Sequence, residues 1–288
     1  MNKLISFSSV SKDKLDNNKI YWGGPPNYGG LVWNAYKHKF KLNVFNIANI
    51  SNSDFSKLNK FADHIVPNSI KNTVTFKITH KKGIRQVKLL TDKFVISKSA
   101  LKKPQIKDNF VVISPIINEY NLDFYKFIFD SKPKAIFLDI YNNDNSKFNK
   151  EEITLFNEIL KLNKTYKGKL FIKLSDNEAE TLLQKTKIDS KIYLIITCGK
   201  DGAKILKNKK VVCSVPGIKE KVVSALGAGD VFLYSFVMFY SSSFSIKKAL
   251  IEANKIAAYS TRYLTIKEFY YGLKNIFGDY KWKYLMLN

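Results

Sequence analysis

The sequence predicts an α/β protein built on a mostly parallel sheet with helices over both faces. Three observations carry that expectation. Strand-like apolar runs alternate with helix-like runs along most of the chain, several strand-like runs are apolar at every position, and one stretch alone alternates polar with apolar residues. A strand without a polar face has nothing to give to water, so it belongs in a sheet covered on both sides.

In chain order, Lys3–Ser8 reads as a short strand, Gly30–Lys39 as a helix and Leu42–Ile47 as a strand. Asn109–Ser114 (NFVVIS) is a buried strand, Asn121–Phe129 a helix and Lys134–Ile140 (KAIFLDI) another strand. Lys150–Leu162 is an amphipathic helix, with Ile153, Phe156, Ile159 and Leu160 at helical spacing. Leu170–Leu174, Asn177–Gln184 and Ile192–Thr197 continue as strand, helix, strand; the segment after Gly227 and Ile246–Tyr259 read as helices. The departure is Thr73–Thr79 (TVTFKIT), a turn at His80–Gly83, and alternation again over Arg85–Leu90 before Phe94–Ser97. That is a hairpin with one polar face. With Lys19–Trp22 it predicts a small antiparallel sheet, either a lid over a ligand site or a plain extension of the main sheet. The organisation expected is one domain over residues 1–288, its lid formed by about 17–24 and 73–98.

Composition bounds the function. A chain of 288 residues with 45% hydrophobic and 25% charged content can bury a large core and is neither disordered nor fibrous. Its longest nearly unbroken apolar run, Val231–Tyr240, is half the roughly 20 residues that span a bilayer. The first residues lack the apolar stretch of about 7–15 that a secretory signal needs, so a cytoplasmic protein with no membrane partner is expected. Cys198 and Cys213 form no CxxC pair, and His38, His64 and His80 lack metal-site spacing. The net charge of +24 would suit nucleic-acid phosphates. Yet the lysines are spread over the whole chain and no nucleic-acid motif accompanies them, so a nucleic-acid partner is not expected. The charge should at least concentrate small anions.

The chemistry is concentrated in Val222-Val-Ser-Ala-Leu-Gly-Ala-Gly-Asp-Val-Phe232, where Gly227-Ala228-Gly229 leads into a long apolar helix at Asp230. Small residues at a helix N-terminus leave unpaired N–H groups open to an anion, and the helix dipole adds partial positive charge. Phosphoryl transfer needs such preset donors. An acidic side chain there can take a proton from an attacking hydroxyl. The plain alternative makes Asp230 a helix cap and the glycines a tight turn.

Other segments join it in a fixed order. Gly23-Gly-Pro-Pro-Asn-Tyr-Gly-Gly30 leads into a helix, then come the hairpin, Lys173-Leu-Ser-Asp-Asn-Glu178 at a strand end, Thr197-Cys-Gly-Lys-Asp-Gly202, and GAGD. In this order and spacing the chain resembles the ribokinase family of carbohydrate kinases, also called the PfkB family, over nearly its whole length. Gly23-Gly-Pro-Pro-Asn-Tyr, Gly83-Ile-Arg85 and Ile113-Ser-Pro-Ile-Ile-Asn-Glu119 look most like the archaeal sugar and inositol kinases of that family.

The resemblance implies a ribokinase-like three-layer sandwich with a mostly parallel central sheet and a small antiparallel β lid. It implies Asp230 as general base and Gly227, Ala228 and Gly229 as the anion hole for the γ-phosphate of ATP. Glu178 would hold Mg²⁺ through its water shell. Lys173, Ser175, Thr197, Gly199 and Gly202 would serve the nucleotide side, and Asn254 would border adenine. Gly24, Asn27 and Arg85 would face the phosphate acceptor, a sugar, polyol or nucleoside. Asp139, at a strand's C-terminal end, lies where open α/β sheets place ligands, although a structural cap would explain it too. Members of the family are monomers or homodimers.

The departures are specific. Ser224, Ala225 and Leu226 stand where the family usually has Asp-Thr-Thr, so potassium activation is not supported. Ser175 replaces an Asn; an alternative register would use Asn177 and Glu180, but the trailing Leu182-Leu183 favours Ser175 and Glu178. The acidic residue that grips sugar hydroxyls is Ser11 here, with Asp13 and Asp16 in shifted positions. A second reading follows from these, a ribokinase-fold protein that binds nucleotide or sugar without turnover.

Overall fold

A computed structural model describes residues 2–15, 19–58, 64–81, 84–96, 105–140 and 148–278. The first half of the chain gives β1 (Lys3–Ser9), β2 (Ser11–Lys14), β3 (Ile20–Gly23), α1 (Pro25–Tyr36), β4 (Asn43–Ile50), α2 (Asn52–Phe55) and β5 (Ile65–Ser69). The hairpin β6 (Val74–Lys81) and β7 (Ile84–Leu89) follows, then β8 (Phe110–Ser114), α3 (Leu122–Asp130) and β9 (Ala135–Asp139). The second half gives α4 (Lys150–Leu162), β10 (Lys169–Ser175), α5 (Asp176–Lys185), β11 (Tyr193–Thr197), β12 (Ala203–Lys207) and β13 (Lys210–Val215). It closes with α6 (Ala228–Ser243), α7 (Ile246–Ser260) and α8 (Ile266–Gly278).

The large sheet has nine strands in the order β13-β12-β11-β10-β9-β8-β1-β4-β5. Every pairing from β11 to β5 is parallel; only β12 and β13 at one edge run antiparallel. Two apolar cores lie on its two faces, one holding α1, α6 and α7, the other α3, α4 and α5. This is the three-layer α/β architecture that the sequence predicts.

Helix α6 runs through the middle of the first core. Its residues Val231–Ser241 are all buried, because sheet, α1 and α7 surround it. That accounts for the long apolar run, and among the described residues no helix is long and apolar enough to cross a membrane. At the α1–α6 crossing, Gly29 lies against the ring of Tyr234, which fills the space a Cβ would need. Gly29→Ala is therefore expected to cost about 1–3 kcal/mol by overpacking, read as a lowered thermal midpoint. An unchanged midpoint would mean that the helices shift apart without strain.

The small sheet has the order β3-β2-β6-β7. Its β2–β3 and β6–β7 pairs are antiparallel, and a parallel β2–β6 pairing joins them. It begins earlier than residue 17, because Ser11–Lys14 is a strand of it, and its pairing ends at Leu89. Phe94–Ser97 is not a strand: Ile96 makes one isolated bridge to Tyr120, and Ser97 lies outside the described residues. The Ile96 amide also donates to the Glu119 carbonyl at 2.7 Å. Glu119 is fully buried and its carboxylate accepts from Ser9 Oγ at 2.7 Å and from the Ile116 and Ile117 amides at 3.0 Å. Burial raises its carboxyl above the usual range despite those donors. One residue thus ties both chain segments that lead into the small sheet.

Helix α1 starts at Pro25, five residues before the expected Gly30. Pro25 and Pro26 occupy its first turn, where missing N–H groups cost nothing. This helix start consequently offers few donors to an anion, unlike that of α6.

Candidate active site

The strand ends assemble the polar residues by register alone. Lys173 on β10 pairs with Asp139 on β9, and Ser175 pairs with Thr197 on β11. All lie at the C-terminal edge of the parallel strands, where such sheets hold ligands. Helix α6 begins above them. Its N-cap, Gly227, has φ 72°, in the left-handed region, and the Tyr28 ring occupies the place of any Cβ there. Backbone and packing both require glycine at this position. No side chain caps α6; the Ala228 N–H donates to Ala225 O at 3.3 Å, and the small residues of this first turn let an anion approach the helix N-terminus.

Lys173 stands directly beneath that helix start. Its Nζ lies 2.9 Å from both Asp139 carboxylate oxygens and 3.2 Å from where a Cβ on Gly229 would sit. The pair is nearly buried, with side-chain exposures of 11% and 13%. Burial alone would lower the pKa of the ammonium, but Asp139, Glu178 and Asp230 together raise it above its ordinary value. Lys173 therefore stays charged among three carboxylates beside the helix N-terminus. Asp230 occupies the first turn of α6, where the helix dipole favours its anionic form.

Ser175 and Glu178 form a capping box at the start of α5. The Ser175 hydroxyl accepts from the Glu178 amide at 3.3 Å, and Glu178 Oε2 accepts from the Ser175 amide at 2.7 Å. Burial raises the Glu178 carboxyl pKa, with Lys173 opposing the shift. Ser175 thus has a structural job in this arrangement, while Glu178 also couples electrostatically to Lys173.

Beside the cluster opens a cavity of about 580 Å³. Thr197, Gly199, Gly202, Ala228, Gly229 and Asn254 all line it. Its other walls include Ile218, Val222, Phe232, Ala257 and Ala258. The loop from β13 to α6 closes the rim: the Val223 and Ser224 amides donate to Thr261 O at 2.8 and 3.0 Å, and Arg262 binds Glu220 at 2.6 and 2.8 Å. Asn254 spends its Nδ2 on Pro216 O at 2.9 Å, so it braces the rim as well as lining it.

Helix α1 meets the start of α6 through the Tyr28 ring on Gly227, and Gly24 (φ 87°) turns the chain into α1 against the Ser9 carbonyl. Asn27 is buried and donates to Gly23 O at 2.8 Å. Ser11 and Asp13 share one face of β2, and the Ser11 hydroxyl donates to Asp13 at 2.8 Å. Both side chains lie over Gly23, so a carboxylate does reach this region, two residues past the expected position. The Arg85 side chain lies outside the described residues, so only its backbone place on β7, opposite His80, is defined. Asp139 accepts from Lys173 at 2.9 Å and from the Ser114 hydroxyl at 3.5 Å.

With this geometry in hand, the comparisons are specific. The family model described as pfkB family carbohydrate kinase matches residues 126–265. Residues 126–265 are therefore similar to that family. The matched span contains Asp139, Lys173, Glu178, the Thr197–Gly202 turn, GAGD and Asn254. No curated protein matches the chain in sequence.

Solved ribokinase-like structures extend the likeness to the whole fold. An uncharacterized sugar kinase from Pyrococcus horikoshii, in complex with ATP, is 19% identical, with 91% of this chain and 93% of that one covered and a TM-score of 0.67. The nucleoside kinase of Methanocaldococcus jannaschii is 18% identical, covers 96% of this chain and 99% of its own, and has a TM-score of 0.65. A pyrophosphate-dependent kinase in the ribokinase family, complexed with a pyrophosphate analog and myo-inositol, is 16% identical, with 91% and 96% covered and a TM-score of 0.68.

Proposed function

We propose that this chain is a kinase that transfers the γ-phosphoryl of ATP to a hydroxyl of a sugar, polyol or nucleoside. The observation that carries the proposal is the convergence of an uncapped helix N-terminus, Asp230 and the charged Lys173 at the edge of the 580 Å³ cavity. Donor phosphates would enter where α6 offers its N–H groups. The acceptor hydroxyl would lie on the Asn27 side, next to Asp230.

The chemistry then follows from position. Asp230 takes the proton as the acceptor oxygen bonds to the γ-phosphorus, and the β–γ bridging oxygen leaves with ADP. Gly227, Ala228 and Gly229 supply backbone N–H groups to the transferred oxygens. Lys173 adds a fixed cation beside Gly229 as charge develops, and Asp139 holds it there.

Magnesium fits the residues present. Mg²⁺ keeps most of its waters and needs only one or two carboxylates besides phosphates; Glu178, which couples electrostatically to Lys173, would supply one through the ion's water shell. The ion would neutralise phosphate charge when bound. The absence among described residues of a three-ligand His/Cys/Asp/Glu cluster is compatible with that mode.

ATP rather than pyrophosphate is favoured as donor. Phe232, Ile218, Val222 and two alanines form apolar walls that a pyrophosphate would leave unused, whereas an adenine would cover them. Calorimetric titration with Mg·ATP and Mg·pyrophosphate tests this. Ala258→Asp, which puts a carboxylate into the apolar wall, is expected to weaken ATP binding at least tenfold. Equal affinity for both donors, or an insensitive Ala258→Asp variant, would overturn the choice.

A further inference from the structure

Phosphoryl transfer to a small acceptor uses little of the +24 net charge. Part of that charge gathers on the sheet edge opposite the candidate active site, where loops enter the parallel strands. Those described in full, with the β12–β13 turn, are in spatial order 208–209 (NK), 186–192 (TKIDSKI), 163–168 (NKTYKG), 131–134 (SKPK), 105–109 (QIKDN) and 37–42 (KHKFKL). Their only acids are Asp108 and Asp189, whereas the whole chain sets 24 Asp and Glu against 48 Lys and Arg. Among the described residues, no lysine of these loops makes an ion pair. A lysine-rich composition explains how many lysines there are, not why acids are scarce on one edge. Spread along the sequence, these lysines form a row only through the strand order.

The backbone on this edge is also unusual. Of the non-glycine residues with positive φ, Lys41, Asp108, Lys132, Asn208, Lys209 and Phe244 lie here, and Asn118 alone does not. Glycine adopts that conformation freely, so lysine at 41, 132 and 209 keeps a cation where folding would be easier without it. Phe244 ends α6 with its ring 48% exposed and Lys134 Nζ 4.4 Å from the ring centroid. A free aromatic face beside an ammonium suits a base next to its phosphate. At the β4 end the row deepens into a cavity of about 1030 Å³, lined by Lys37, Lys39, Lys41 and Phe40 with Asn2 and Asn43. A concave basic wall admits a chain but not the flat face of a bilayer.

We infer that this edge binds a single-stranded nucleic acid, its phosphates along the lysine row and a base on Phe244. Neighbouring strands lie about 4.8 Å apart, so the row from β13 to β4 runs roughly 34 Å, room for about ten phosphates at the 3.4 Å spacing of one strand. Helices α1 and α6 begin at the candidate active site and end at this edge. A strand bound here leaves that site open, and its binding is independent of the kinase reading.

Fluorescence anisotropy with labelled oligouridylate and oligothymidylate, each of about twelve nucleotides, tests this. Affinity is expected to fall with salt at a log–log slope of about −3 or steeper, the signature of at least four phosphate contacts on a single strand. Lys41→Gly combined with Lys132→Gly removes two charges and relieves two left-handed residues. It should raise the thermal midpoint yet weaken binding at least tenfold at about 0.1 M salt. Lys71→Gln combined with Lys88→Gln removes the same charge from exposed positions away from this edge and should change affinity less than twofold. Phe244→Ala should weaken binding about fivefold or more. Equal losses in the two double variants, affinity indifferent to salt, or no effect of Phe244→Ala overturns the proposal. Binding to phosphatidylserine vesicles with none to either oligonucleotide overturns it too, and assigns the edge to an anionic membrane.

Discussion

Asp230→Asn is expected to bind Mg·ATP as the native protein does and to turn over about 10²–10⁴-fold more slowly. Asparagine keeps the size and the hydrogen-bonding oxygen of aspartate but cannot accept the acceptor's proton. The side chain sits in the first turn of α6, where Asn is well tolerated, so the fold should lose about 1 kcal/mol or less. Measured kinetics should therefore show the loss in kcat, with KM for ATP nearly unchanged. A decrease smaller than tenfold would reduce Asp230 to a residue that only complements the helix dipole.

Lys173→Met is the second large effect, and it has two parts. Removing the ammonium strands Asp139, whose carboxylate makes both 2.9 Å contacts with it in a nearly dry site. That should cost about 3–5 kcal/mol of stability. Loss of a fixed cation beside Gly229 should also lower kcat about 10²–10³-fold, the usual size for one preorganised group at developing negative charge. The double variant Lys173→Met with Asp139→Asn separates the parts. It should recover much of the thermal stability, since Asp139 no longer carries a buried charge without its cation, and none of the activity. Recovery of activity along with stability would show that Lys173 serves the fold alone.

Much of this architecture could be read from the residues, because parallel strands buried on both faces announce themselves as apolar runs. The misses have physical reasons. Strand β2, Ser11–Lys14, has no apolar residue; it is buried because Ser11 and Asp13 satisfy each other. Their two-residue spacing puts them on one strand face, and that periodicity was the signal for a displaced carboxylate. Strand β5 carries Pro67, which argues against a central strand, and it is in fact the sheet edge, where a missing N–H is tolerated. The β12–β13 hairpin turns through Asn208 and Lys209, both with positive φ, without the glycine that usually marks such turns.

Within the candidate site, GAGD, the Thr197–Gly202 turn and Asn254 were legible because each is a local motif, and Ala228, Gly229, Thr197, Gly199, Gly202 and Asn254 line one cavity. The Lys173–Asp139 pair was not, since it depends on the register between β9 and β10. Ser175-x-x-Glu178 carried two meanings at once: the spacing that suits a phosphate-site acid is also that of a capping box.

Acceptor-dependent release of ADP from Mg·ATP tests the central claim most directly. The native protein, offered nucleosides, sugars and inositols in turn, is expected to release ADP in step with phosphorylation of at least one acceptor. With Asp230→Asn the release should fall to the background seen without acceptor. ADP release that no acceptor stimulates, or that the variant supports equally well, would contradict phosphoryl transfer at this site and leave nucleotide binding without turnover as its function.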